Sequence, residues 1–252
     1  MINWKERIRA AAIHLGISLA IAALAALLVF GLWYPYPYRE ISGGRELFFI
    51  VVSVDVILGP LITLAIFNRR KPWALLRRDL AIVGLIQLAA LGYGLWTVFV
   101  ARPVHLVFEI DRFRVVHALD VPQELLGRNQ AGIEAMPVLG PTLLSVRPFR
   151  NSNESMEVTL AAVQGVAIGS RPDLWQPYEA GRQDVLKVAK PVAQLKARFP
   201  ARAAEIDAAV KAGGRSPDSF AYVPLAGRKS FWTAFVDPST ADIVGFMPLD
   251  SF

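Results

Sequence analysis

The sequence predicts a membrane protein in which three transmembrane α-helices, with the N-terminus in the cytoplasm, precede a periplasmic domain of mixed α/β (α+β) structure. Three observations predict it. Apolar runs recur three times before residue 101, at about 10–33, 47–67 and 80–101, and about 20 apolar residues at 1.5 Å rise match the hydrocarbon core of a bilayer. Lys and Arg gather at the N-terminus and between the second and third runs. From residue 102 the apolar period shortens to the alternation of strands, broken by turn residues. Two domains follow: 1–101, transmembrane, and 102–252, periplasmic.

The first span, Ala10 to Trp33, is rich in Ala and Leu, with small residues at Gly16, Ser18 and Ala22. It is longer than the apolar region of a signal peptide and leads into Trp33-Tyr34-Pro35, without a small-residue cleavage site, so a retained anchor is expected. The aromatic cluster suits the headgroup zone, and Pro35 and Pro37 end the helix. The second span, Leu47 to Phe67, carries one ionisable residue, Asp55, near its middle. The third, Leu80 to Ala101, follows a basic segment, Asn68 to Asp79. Positive charge in short loops favours the cytoplasm. The N-terminus holds Lys5, Arg7 and Arg9, the first loop Arg39 and Arg45, and the second loop Arg69, Arg70, Lys71, Arg77 and Arg78. Three and five belong inside and two outside, which puts 102–252 in the periplasm of a Gram-negative bacterium.

The net charge of +6 lies mostly in these segments: residues 1–101 hold ten Lys and Arg against five Asp and Glu, the remainder seventeen against sixteen. No basic face for nucleic acid is implied. There is no cysteine, which excludes disulfides, thiolate catalysis and cysteine metal sites. His14, His105 and His117 do not cluster, no metal-ligand spacing appears, and no P-loop, GxGxxG or nucleophile elbow is present. No cofactor is implied, and nothing argues for catalysis.

In the second domain, Val104 to Ile110 and Phe113 to His117 read as a hairpin turning at Asp111-Arg112. Asp120 before Pro122 is expected to cap a short helix. Residues 137–151, with Pro137, Pro141 and Pro148, read as a loop. Asn151-x-x-Glu154 reads as a capping box for a helix through about Val166. Residues 179–212 read as helical, divided at Pro191 and Pro200 and ended by Gly213-Gly214. Residues 230–237 and 242–249 form a last hairpin around Pro238-Ser239-Thr240.

The candidate site is in the membrane: Asp55, Gly59, Pro60, Gln87 and Gly92. A carboxylate there costs several kcal/mol unless neutralised or paired. It serves as a proton relay, an ion site or a contact to a partner helix, or else it locks the bundle through Gln87 or His14. Pro60 frees a carbonyl near Val56 and permits a kink. Gly84, Ala90, Gly92 and Gly94, with Gln87, let helices approach closely, within this protein or with a foreign helix.

Taken in order, HLGIS (14–18), WYP (33–35), VDVILGPLITL (54–64), QLAALGYG (87–94) and ARPVHLVFEIDRF (101–113) resemble the TfpX/TfpZ family of type IV pilin accessory proteins. The resemblance covers roughly residues 10–115 and is looser beyond. It implies a multi-pass inner-membrane protein that acts as a pilin-specific chaperone or modulator in pilus assembly, without catalysis. Its partners would be the type IV major pilin, through transmembrane helix and head domain, and other inner-membrane assembly proteins. The residues alone leave two alternatives: a membrane-anchored periplasmic ligand sensor or regulatory subunit, and a small transporter or proton-relay subunit using Asp55.

Overall fold

A computed structural model of the chain describes residues 4–210 and 213–252. It divides into two compact units: residues up to Pro35 with Gly44–Ala101, and Tyr36–Gly43 with Arg102–Phe252. The segment between the first two long helices therefore belongs to the same unit as the last 151 residues.

The first unit contains three helices long and apolar enough to cross a membrane. Helix α1 (Trp4–Leu28) ends in a π-helical turn, Val29–Trp33. Helix α2 (Tyr38–Ile41) lies in the other unit. Helices α3 (Gly44–Ser53) and α4 (Gly59–Ile66) make one continuous rod through a π-helical turn, Val54–Leu58. Helix α5 (Trp73–Val100) begins seven residues earlier than the apolar run does. The basic segment is thus only half loop, because Pro72 starts the helix and Arg77, Arg78 and Asp79 fall in its first two turns. Lys71 reaches Asp79 at 2.7 Å.

Most large apolar side chains on these helices point outward: Leu27, Leu85 and Leu88 are 60–71% exposed. A helix apolar all round needs an apolar surrounding. The small core holds Ala25, Val29, Tyr34, Phe48 and Val98. Tyr34 is buried, and its hydroxyl donates to the Val98 carbonyl at 3.0 Å.

The second unit is built on one eight-stranded mixed sheet. Its strands are β1 (Pro103–Phe108), β2 (Phe113–His117), β3 (Thr142–Val146), β4 (Trp175–Pro177), β5 (Lys190–Pro191), β6 (Ala221–Ala226), β7 (Phe231–Val236) and β8 (Ile243–Met247). The order is β4-β3-β1-β2-β6-β7-β8, with β5 beside β6. Both expected hairpins form. Phe108 pairs with Phe113 across the Asp111-Arg112 turn, and Val236 with Ile243 across the last one. His105 lies opposite Val116, so the two histidines of the first hairpin do not face each other.

Two strands depart from expectation. Residues 137–151 are not all loop: β3 follows Pro141 directly and runs parallel to β1, with Leu106 opposite Leu143. Strand β6 lies inside the sheet although it contains Pro224, which cannot donate to a ladder. One side of β6 pairs throughout with β7; the other is shared by β5 at Ala221-Tyr222 and β2 at Leu225-Ala226. Pro224 falls in the gap between those two partners, where no ladder bond is required.

Helices α6 (Ser152–Val163), α7 (Tyr178–Val188), α8 (Val192–Arg198) and α9 (Ala203–Ala209) flank the sheet sequence. Pro191 and Pro200 divide the last three as expected, and positions 211 and 212 lie outside the described residues. Asn151 caps α6 by accepting from Glu154 N at 2.9 Å. The return half of the box goes elsewhere: Glu154 accepts from Arg150 N and takes both guanidinium nitrogens of Arg147. These contacts hold its carboxyl down at about 2. The helix stops at Val163, short of Val166, in a Schellman turn: Val166 N donates to Ala161 O, and Gly165 takes φ +100°, the left-handed conformation open to glycine. Asp120 caps no following helix; it closes the preceding turn by accepting from His117 N and Nδ1.

The core joins both ends of this unit. Ile41 of α2 is fully buried with Leu106, Phe108, Val223, Leu225 and Trp232. Gly227 makes room for it, since a Cβ there would strike the Ile41 side chain.

His105 is fully buried, with Nδ1 on Thr142 Oγ1 at 2.6 Å and Nε2 on the Ala135 carbonyl at 3.1 Å. Burial depresses its pKa to about 4, against the raising effect of the Ala135 bond. The unfolded chain binds that proton near pH 6.5 and the folded chain does not. Stability is therefore complete above about pH 6.5 and declines as pH falls toward 4, by about 3 kcal/mol at the limit. Denaturant unfolding at stepped pH should show this slope, and His105→Gln should flatten it.

Candidate functional site

The interior of the three-helix unit is mostly apolar, and one of its polar contacts forms where α3, α4 and α5 meet. Pro60 dictates what happens there. In an α-helix the Val56 carbonyl would accept from residue 60; in the i+5 register of a π-turn the Asp55 carbonyl would do so. Residue 60 has no N–H to give. The chain takes the π-turn over Val54–Leu58, and the Asp55 carbonyl is the group left without a helical partner. Gln87 of α5 supplies one: its Nε2 donates to Asp55 O at 3.3 Å. An unmet carbonyl in an apolar setting costs about 1–3 kcal/mol, so this bond offsets the loss that Pro60 causes in the π-turn.

Gly59 makes the approach sterically feasible. A Cβ on Gly59 would overlap the Gln87 carboxamide. Gly59 and Pro60 are both buried. One turn on, Thr63 is buried and its hydroxyl pairs with His14 Nδ1 at 2.5 Å, tying α4 to α1.

The structure therefore brings together four of the five predicted residues: Asp55, Gly59, Pro60 and Gln87. Gly92 is not among them; it is exposed, with nothing within 4 Å of where a Cβ would stand. The close approach of α3 to α5 is at Gly94, where a Cβ would run into Val51. Gly92 and Gly94 lie two apart and so face different sides of a helix; the run alone did not say which was turned inward. Nor does the Asp55 carboxylate bond Gln87 or His14, as expected of a bundle lock. The π-turn engages Asp55 through its backbone carbonyl, and its Oδ1 is buried without a hydrogen-bond partner. Thr63, not singled out in the sequence, and Tyr34, read there only as part of the aromatic cluster at the end of the first span, carry two of the polar ties between the helices.

This arrangement is a polar node inside an apolar bundle. Among the described residues no group of three His, Asp or Glu is close enough to hold a metal ion. Around the node, the π-turn presents Ile57 and Leu58, α4 Leu61, and α5 Leu85 and Leu88, all exposed.

The family model for Fimbrial assembly protein FimB matches residues 2–43, which takes in α1 and α2. The fimbrial assembly protein of serogroup I from Dichelobacter nodosus is 34% identical over 242 residues, 95% of this chain and 94% of that protein. The chain belongs to the FimB fimbrial assembly family. A second member, the serogroup E1 protein of Dichelobacter nodosus, is 32% identical over the same share of both chains. The serogroups C1 and C2 protein is 41% identical over 109 residues, 43% of this chain and 83% of its own length. Two of these alignments cover both units, so family membership extends to the sheet unit as well as the long helices. No solved structure matches the chain.

Proposed function

We propose that this protein is an inner-membrane accessory factor of fimbrial assembly, a pilin-specific chaperone or modulator that binds the pilin subunit without catalysis. The observation that carries the reading is similarity to fimbrial assembly proteins along 95% of the chain. A pilin awaiting assembly has an apolar helix in the bilayer and a globular head outside it; a partner with three apolar helices and a folded domain has a surface for each. In this reading the exposed apolar face of α4 and α5 receives the pilin helix next to the Asp55 node.

The topology proposed with it has the N-terminus in the cytoplasm and the sheet unit in the periplasm. Supporting it, Tyr36–Gly43 belongs to the same compact unit as Arg102–Phe252, so the first loop and the domain share a side. An odd number of spans requires the same. The loop richest in Lys and Arg then lies inside.

Because the chain has no cysteine, single cysteines report its topology cleanly. In cells, Ser239→Cys should react with a membrane-impermeant maleimide and Arg70→Cys should not. A photoreactive residue at Ile57 or Leu88, in cells making their own pilin, should crosslink to pilin. Crosslinks only to lipid or to other envelope proteins would overturn the pilin reading.

A further inference from the structure

A second polar feature lies in the sheet unit, remote in sequence from the Asp55 node. A cleft of about 540 Å³ opens between the end of β2, the turn after it, the loop following α6, and the turn after β6. Its charged walls are Arg114, Asp120, Glu124 and Arg228, with His117 and Ser170 between them. His117 is 1% exposed, yet its Nε2 has no hydrogen-bond partner. Its Nδ1 is committed: Asp120 accepts from it at 3.0 Å and from the backbone N of the same residue at 3.1 Å. A buried ring nitrogen left open costs free energy that a ligand would recover.

The other groups are sorted in the same way. Arg114 gives its Nε to Glu109 at 2.6 Å, and Glu109 also takes Gly169 N at 2.8 Å. That pins the loop to the strand and leaves the two terminal nitrogens of Arg114 available. Arg228 is exposed, forms no ion pair among the described residues, and acts on Asp120 only through its longer-range field. So the terminal nitrogens of Arg114 and the guanidinium of Arg228 are donors without a partner among the described residues.

We infer that this cleft is a binding site for a ligand carboxylate, held between Arg114 and Arg228 with His117 Nε2 as the inner donor. His117 Nδ1 is held by Asp120, so Nε2 becomes a donor when a proton enters the site together with the ligand carboxylate, and Asp120 on the far side of the ring orients it for that contact. A monoanion is favoured over a phosphate dianion because Glu109, Asp120 and Glu124 already match the charge of Arg114, Arg228 and a protonated His117 ring, so a second negative charge would meet no further cation. Sources of such a group are a free organic acid, a peptide C-terminus or an acidic side chain. The site is independent of the pilin reading.

The test uses the full-length protein in detergent, with ring nitrogens of its three histidines isotope-labelled. Propionate, a short peptide with a free C-terminus, and the same peptide amidated are titrated in separately. The free carboxylates should move the His117 Nε2 resonance toward the protonated position, and the amide should not. Preference for the peptide over propionate would identify a chain terminus as the source; equal response, a small acid. Arg228→Gln, at an exposed position that leaves the fold intact, should weaken binding about tenfold, the scale of one charge-assisted hydrogen bond. A silent His117 at saturating carboxylate, an equal response to the amide, or unchanged affinity in Arg228→Gln would overturn the assignment.

Discussion

Replacing Gly59 by leucine is expected to unfold the three-helix unit before the rest of the chain. The new side chain meets the Gln87 carboxamide, which lies where the glycine has none. Overpacking of this sort costs about 1–3 kcal/mol. Gln87 can swing away only by abandoning the Asp55 carbonyl, the acceptor that Pro60 leaves without a helical donor, which adds about 1–3 kcal/mol. The two costs fall on one contact and act together. The measurement is thermal unfolding in detergent, read by helix circular dichroism. A companion variant separates the two costs. Gln87→Ala in the Gly59→Leu background removes the clash but not the orphaned carbonyl, so rescue should be partial. Full rescue would mean the hydrogen bond contributes nothing, and no loss in Gly59→Leu alone would mean that the helices do not meet there.

Trp175→Ala is expected to have the second large effect, on the sheet unit. Trp175 is 1% exposed and packs with Val104, Val107, Val116 and Leu144. Its ring stands edge-on to His105 at 4.4 Å between centroids, and its indole N–H donates to Gly169 O at 2.7 Å. Truncating a buried tryptophan costs about 3–5 kcal/mol, and the Gly169 carbonyl then loses its donor as well. Trp175→Phe keeps most of the packing and should lose only about 1 kcal/mol for the missing N–H bond. Equilibrium denaturation followed by near-ultraviolet circular dichroism would rank the two. Equal losses would put the energy in the hydrogen bond instead of the packing.

The three long helices were legible because a bilayer-length apolar run has few other readings, and the two hairpins because their turn residues sit between alternating strands. Strands β3 and β6 were hidden for a different reason. Each depends on partners distant in sequence: β3 on β1 and β4, and β6 on β2 and β5 in addition to its neighbour β7. Each also carries or follows a proline, which by local rules argues against a strand. No local signal reports that β6 has a gap in its ladder where Pro224 fits. In the membrane unit, Asp55, Gly59, Pro60 and Gln87 stood out because they are polar or helix-breaking in apolar surroundings. How they connect did not stand out. The expected bond ran from the Asp55 side chain, but a π-turn moved the free backbone acceptor onto that same residue. The sheet-unit cleft was not legible at all, since it is assembled from β2, two loops and the turn after β6.

Ile41 has a consequence for how the protein is made. It leaves the ribosome long before the strands that bury it. In the proposed topology the sheet unit can close only once the third long helix has crossed and the strands reach the side that holds Ile41. A chain that failed to insert its second or third long helix would strand Ile41 across the bilayer from the strands that bury it, and its domain would fold around a void the size of a missing isoleucine. Completion of the domain would then act as a check on the number of spans inserted, and miscounted copies would carry an unfinished core open to proteolysis.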